Sequence, residues 1–249
     1  MKPTKLILFL SLVLVTSLFV SNAGSQVTLQ VGVGAGIRLP MGDYSGATTD
    51  YYAGTKYGLS TGYNLQAKGR VSLPGFTLVG GVEYGHLSNS GNAEASGQGK
   101  VEVAQSVFSI KAGPEFTIPL PAAPLTPYVG ANIAWHSISG TTTFTGVSRV
   151  PSGTFDLAAA SRIGFGVNAG IVFKLGPVMK LDLGAEYAFI NPISKEWKVT
   201  ETSTNRIDSY KSLNDEKDPL YAVGNSDHFV SAARSISTFQ VMATLMIGL

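Results

Sequence analysis

The sequence predicts an all-β fold: an eight-stranded antiparallel, up-and-down transmembrane β-barrel. Three observations carry the prediction. Apolar and polar residues alternate at period two from residue 26 to the C-terminus, with no helical period between. The joins between these segments are alternately long and short, the pattern of long external loops and tight turns on the far side of a membrane. The polar face is rich in glycine and carries a few charges of both signs, which suits a narrow barrel interior better than a water-facing sheet.

Residues 1–23 stand apart. Lys2 and Lys5 precede the apolar run LILFLSLVLVTSLFV, and Ser21-Asn22-Ala23 has small residues at both positions that signal peptidase reads. The segment is expected to be a cleaved secretory signal, because an apolar run of about 15 residues is short for a spanning helix. Residues 24–249 are expected to form one barrel domain. With only 14% charged residues the chain is neither disordered nor an ordinary charged-surface domain. A formal charge of +2 is too small for a nucleic-acid footprint. The lack of cysteine excludes disulfides, a thiolate nucleophile and Cys-ligated zinc.

The first strand, 26–38, has Val27, Leu29, Val31, Val33, Ala35 and Ile37 in phase. The second, 57–71, sets Tyr57, Leu59, Tyr63, Leu65, Ala67 and Val71 against Ser60, Asn64, Gln66, Lys68 and Arg70. The third places Phe76, Leu78, Val82 and Tyr84 opposite Thr77 and Glu83, and the fourth Phe108, Ile110, Ala112 and Phe116 opposite Ser109, Lys111 and Glu115. In the fifth, Val129, Ala131, Ile133 and Trp135 oppose Asn132 and His136. The sixth runs from Arg162 to Lys174 and the seventh from Met179 to Phe189. The last strand ends the chain, with Phe239, Val241, Ala243, Leu245, Ile247 and Leu249 in phase. Long external loops are expected at about 39–56, 88–100, 138–157 and 191–235.

Aromatics bracket the apolar stripes eight residues apart, at Phe76 and Tyr84, Phe108 and Phe116, and Phe165 and Phe173. At about 3.3 Å per residue and a tilt near 45° the interval covers roughly 19 Å, near the separation of about 25 Å between two interfacial girdles. The apolar face is therefore expected to meet lipid. Lys68, Arg70, Lys111, Arg162, Lys174 and Lys180 are then enclosed with Glu83, Glu115, Asp182 and Glu186, and enclosed charges must pair.

From Gln26 to Leu249 the chain resembles the small eight-stranded outer-membrane barrels of the OmpA-transmembrane-domain, OmpX and OmpW kind. Such barrels commonly end in Phe, whereas this chain ends in Leu249 with the alternation intact. No peptidoglycan-binding domain is expected after the last strand. The resemblance implies a bacterial outer-membrane location, contact with outer-membrane lipids and lipopolysaccharide, insertion through the C-terminal strand by the barrel-insertion machinery, and a monomer. It implies a structural or surface-interaction role, such as adhesion, through the external loops, with an extracellular ligand at 191–235. A narrow channel or hydrophobic-ligand passage of the OmpW kind is the alternative.

One segment, YGHLSNSG at 84–91, resembles the His-x-Ser-Asn segment of lipid A deacylases of the PagL type. That resemblance would make His86 the base, Ser88 the nucleophile, Asn89 an oxyanion helper and Glu102 or Glu94 the orienting acid. The segment sits at the third strand, whereas in the deacylases it lies near strands six and seven, so a strand end running into a polar loop is the preferred reading. His136 is expected to be hydrogen-bonded lumenal filler. His228 has only Asp227 beside it, with no His or Cys at metal spacing. GVGAGI, 32–37, lacks the spacing of a nucleotide fingerprint. No catalytic site, metal or cofactor is expected.

Overall fold

The computed structural model describes residues 28–73, 75–118, 120, 123–198 and 206–248. The expected signal at 1–23 and Leu249 lie outside this set. Eight strands form the wall: β1 (Thr28–Met41), β2 (Gly62–Leu73), β3 (Phe76–Asn92), β4 (Lys100–Thr117), β5 (Leu125–Thr145), β6 (Gly153–Lys174), β7 (Met179–Ile193) and β8 (Ser237–Gly248). Each strand pairs antiparallel with its sequence neighbours, and β8 returns to β1 from Gln30↔Gly248 to Met41↔Ser237, closing the barrel and leaving no free edge. Short turns join β2–β3, β4–β5 and β6–β7 at one end; in the first, Gly75 takes φ 92°, which favours glycine.

The wall is uneven in height. A tilted strand crosses a bilayer in about 9–11 residues, yet β3, β4, β5 and β6 have 17, 18, 21 and 22 residues. The excess lies at the end with the long loops. Around the lower part of the wall, apolar side chains face outward and polar ones inward: Val33 and Ile133 are 67% and 69% exposed, while Glu83, Arg70 and Asp182 are buried. Higher up, the same strands reverse. In β4 the outward row passes from Phe116, Ala112, Ile110 and Phe108 to Ser106, Ala104 and Glu102, while the inward row passes from Glu115, Lys111 and Ser109 to Val107, Val103 and Val101. In β3, Leu87 is buried while Ser88 and Ser90 are exposed. In β5 the change falls between Trp135, outward, and Ile138, inward.

This reversal marks where the outer solvent changes from lipid to water. Below it the barrel is inside out, and above it the apolar residues form a conventional core. That core contains Leu87, Val101, Val103, Val107, Ile138 and Phe144 from the wall. It is completed by loops folding in over the shorter strands: Tyr44, Tyr51, Tyr52, Tyr57 and Leu59 from the β1–β2 loop, and Ile207, Tyr210, Leu213 and Ile236 from the β7–β8 loop. The β1–β2 loop includes one helical turn, α1 (Thr48–Tyr52), whose start is fixed by the Ala47 N–H donating to Asp50 Oδ2 at 3.1 Å.

Several expected boundaries are corrected. Residues 88–92 and 100 are strand, leaving a β3–β4 loop of only 93–99, and 138–145 and 153–157 are strand, leaving 146–152 between β5 and β6. The alternation in these stretches is interrupted by the reversal, so they read as polar loop. Strand β2 begins at Gly62, and Tyr57 and Leu59, expected on the lipid face, are buried in the outer core. Gly58, at φ 64°, lies outside the strands. Between β7 and β8, described residues 206–215 are mostly buried, with Ile207, Tyr210 and Leu213 in the core.

Candidate functional site

The lumen is filled by two charge quartets stacked along the barrel. In the upper one, Arg38 and Glu83 are in contact, Lys111 Nζ donates to Glu83 Oε2 at 2.6 Å and to Glu186 Oε2 at 2.9 Å, and Gln240 Nε2 donates to Glu83 Oε2 at 2.8 Å. Asn64 Nδ2 donates to Gln240 Oε1 at 2.7 Å, and Asn132 Nδ2 reaches Glu186 Oε2 at 3.3 Å. In the lower one, Lys68 contacts Asp182, and Arg70 meets Glu115 through Nε at 2.8 Å and Nη2 at 2.6 Å. The Tyr128 hydroxyl donates to Asp182 Oδ1 at 2.9 Å while its ring lies under Arg70, 4.6 Å from the guanidinium carbon. Each quartet sums to zero charge, which is how buried ions are tolerated. Gly85 leaves room for this packing, since an added Cβ would overlap the Arg38 guanidinium. His136 is lumenal filler as expected, its Nδ1 2.8 Å from Ser109 Oγ.

Of the charges expected in this network, Lys68, Arg70, Lys111, Glu83, Glu115, Asp182 and Glu186 take part. Arg162 pairs instead with the outer loop, and Lys174 and Lys180 sit at the short-turn end with no ion pair among the described residues. Arg38 was the missing partner. Its phase with Gly32, Gly34 and Gly36 was the signal that put it inside.

Above the quartets a second polar hub clamps the β7–β8 loop. Asp215 accepts from Arg162 through Nε at 2.9 Å and Nη2 at 2.7 Å, from Asn191 Nδ2 at 2.9 Å and from the Glu196 N–H at 2.9 Å. Burial pushes the Asp215 carboxyl up, but these hydrogen bonds and the Arg162 charge outweigh it and hold the group below its ordinary value. Asn191 reaches this hub because the β6–β7 register shifts between Ile163 and Phe165, a bulge that turns its side chain inward. Tyrosines tie the two long loops together: Tyr57 OH donates to the Leu213 carbonyl at 3.1 Å, and Tyr210 OH to the Tyr52 carbonyl at 2.7 Å. Arg234 lies over Tyr57, and Arg206 over Tyr52 and Phe229, at 4.3 to 4.7 Å. The outer end is thus a fixed dome. Among the described residues of the β7–β8 loop the most exposed large apolar side chains are Leu220 and Val223, the latter 91% exposed, on a turn held by Asp218, whose Oδ1 accepts from the Leu220 N–H and whose Oδ2 lies 2.9 Å from His228 Nδ1.

The hydrolase constellation at 84–91 is not brought together. His86 and Ser88 share the outward face of β3, but His86 Nδ1 is hydrogen-bonded at 3.0 Å to Ser106 of β4, which also bonds the Tyr84 hydroxyl at 2.9 Å. Asn89 faces inward and donates to the Gly58 and Gly46 carbonyls. Glu102 pairs across from Ser90, four residues above Ser106, or roughly 13 Å along the strand. Glu94 accepts from Ser148 in the loop region. Sequence spacing misses Ser106 because it belongs to the neighbouring strand. Among the described residues no group of three His, Cys, Asp or Glu side chains could hold a metal.

Comparison with known proteins agrees with this architecture. Residues 10–211 match the family described as outer membrane protein beta-barrel domain. Among solved structures, Neisserial surface protein A superposes with a TM-score of 0.50 at 13% identity, covering 88% of this chain and 96% of that one. A major outer membrane protein from Thermus thermophilus gives 0.47 at 12% identity, covering 89% and 99%. The attachment invasion locus protein Ail of Yersinia pestis, in complex with the heparin analogue sucrose octasulfate, gives 0.41 at 11%, covering 91% and 100%. Likeness at this identity speaks for the fold alone. Comparison with curated proteins gives no match.

Proposed function

Because the chain belongs to the outer membrane protein β-barrel domain family, we propose that it works as a surface-interaction protein of the bacterial outer membrane, presenting its domed outer end to an extracellular ligand. The observation that carries this reading is the position of the apolar core: it lies above the lipid-facing band and orders the two long loops. Ordering loops in advance lowers the entropy cost of binding. A barrel serving only to occupy membrane has no use for strands that overshoot the bilayer by several residues. A wide pore does not fit a lumen crossed by two paired quartets, and lipid hydrolysis does not fit a histidine whose Nδ1 is taken up by Ser106, with Glu102 farther up the strand and the Asn89 amide turned inward onto backbone carbonyls. In the same reading the chain is a monomer, its apolar band contacts outer-membrane lipids and lipopolysaccharide, and β8 is the strand offered to the insertion machinery.

The test replaces exposed Glu216, Lys217, Leu220 and Val223 together by serine, leaving Asp218 and the buried loop residues intact. Vesicles bearing the parent protein are expected to adhere to target cells or matrix at least tenfold more than vesicles bearing the variant. Equal adhesion, with both proteins heat-modifiable on gels, would overturn the assignment of binding to this turn. Ser106→Ala and Ser88→Ala are expected to leave lipid A acylation in the host membrane unchanged.

A further inference from the structure

The two neutral quartets leave a remainder at the opposite end of the barrel. Lys174 and Lys180 are Cα partners across β6 and β7, both in the inward phase, and like charges directly opposite one another destabilise a sheet. Neither makes an ion pair among the described residues. Glu115, the carboxylate that lines the same cavity, is already engaged by Arg70 and Lys68. The lysines line a cavity of ≈ 140 Å³ at the short-turn mouth together with Arg70 and the hydroxyls of Ser72, Thr117 and Thr126. Arg70 is itself buried and has a donor, Nη1, without an acceptor. Among the described residues, an excess of two positive charges, an under-used guanidinium and several hydroxyls line one cup.

We propose that this mouth is a binding site for a small dianionic oxyanion of the phosphate class, drawn from solution on the inner side of the outer membrane. Lys174 and Lys180 supply the charge, and an anion between them converts their repulsion into two charge-assisted hydrogen bonds. The hydroxyls of Ser72, Thr117 and Thr126 complete the shell. A lipid headgroup is the less suitable source, because the lysines belong to the inward row and the barrel wall stands between them and the bilayer. The site is independent of the ligand at the outer end.

The test is calorimetric titration of inorganic phosphate into the full barrel in an uncharged maltoside detergent. Saturable binding is expected, weakened at least tenfold in the Lys174→Gln/Lys180→Gln double variant and unchanged in Lys100→Gln on the outer rim. In a parallel thermal melt, phosphate raises the midpoint of the parent and not of the double variant, while the double variant's phosphate-free midpoint is equal to or higher than the parent's, showing that it folds. No saturable binding by the parent, or equal affinity in the double variant, overturns the site. Repeating the titration in phosphatidylcholine and phosphatidylglycerol nanodiscs tests the source: equal affinities support a soluble anion, and competition by phosphatidylglycerol overturns that assignment in favour of a lipid headgroup.

Discussion

Glu83 is the side chain on which the upper quartet converges, accepting from Arg38, Lys111 and Gln240 in a place where water does not replace a lost partner. Glu83→Ala leaves two buried cations short of charge, and removing one member of a buried pair costs about 3–5 kcal/mol. Urea unfolding from lipid vesicles should register a loss of that size; a loss below about 1 kcal/mol would mean the quartet is not enclosed. The outer hub answers to pH in both directions. Asp215 is held below its ordinary value, so its contribution is full above its unfolded value of about 4 and is lost as pH falls through the lower folded one. Tyr51 is pushed by burial up to about 12, so its neutral phenol stabilises the dome below its unfolded value of about 10 and ceases to do so as pH rises toward 12. Near-ultraviolet circular dichroism of the tyrosine cluster is therefore expected to be flat from about pH 4 to pH 10 and to fade on both sides. In Asp215→Asn the acid limb should disappear and the alkaline limb remain. A signal titrating smoothly through neutrality would contradict this.

At the scale of the strand, the reversal of apolar phase decides what a substitution costs. Ile110 and Glu102 are both outward on β4 and eight residues apart. A lysine at Ile110, in the lipid band, is expected to cost about 2–4 kcal/mol, whereas a lysine at Glu102, above it, is expected to change stability by less than about 0.5 kcal/mol, as at an ordinary surface position. Equal costs in vesicle unfolding would remove the boundary between them. The same reversal explains which strand ends were legible in the sequence. Below it, unbroken alternation fixed the phase of every strand and the girdle aromatics Phe76, Tyr84, Phe108, Phe116 and Phe165 correctly. Above it, Ser88, Ser90, Thr141 and Thr145 face water while neighbours such as Leu87 and Phe144 face a core, so alternation continues with its meaning exchanged and resembles loop. VEVAQSVF carries the signal, with Val101, Val103 and Val107 at odd positions followed by Phe108 and Ile110 at even ones. Side-chain partners between strands, such as Ser106 for His86 or Arg38 for Glu83, depend on register, which no single strand encodes.

The whole molecule has two tiers built on one closed sheet, an inverted barrel in lipid and a water-facing dome above it, joined by buried ion pairs. With the lumen crossed by both quartets and the dome packed over them, planar bilayers carrying the barrel are expected to lack the large, stable conductance steps of a porin. The tiering itself is the central claim, and spin-label accessibility along one outward row tests it most directly. The chain has no cysteine, so single replacements at Glu102, Ala104, Phe108, Ile110 and Ala112 on β4 can each be labelled without competition in vesicle-reconstituted protein. Labels at 108, 110 and 112 are expected to collide with oxygen and labels at 102 and 104 with a water-soluble nickel reagent, the change falling near Ser106. Oxygen-dominated collisions persisting to 102, or water-dominated collisions at 110, would contradict the two-tier structure.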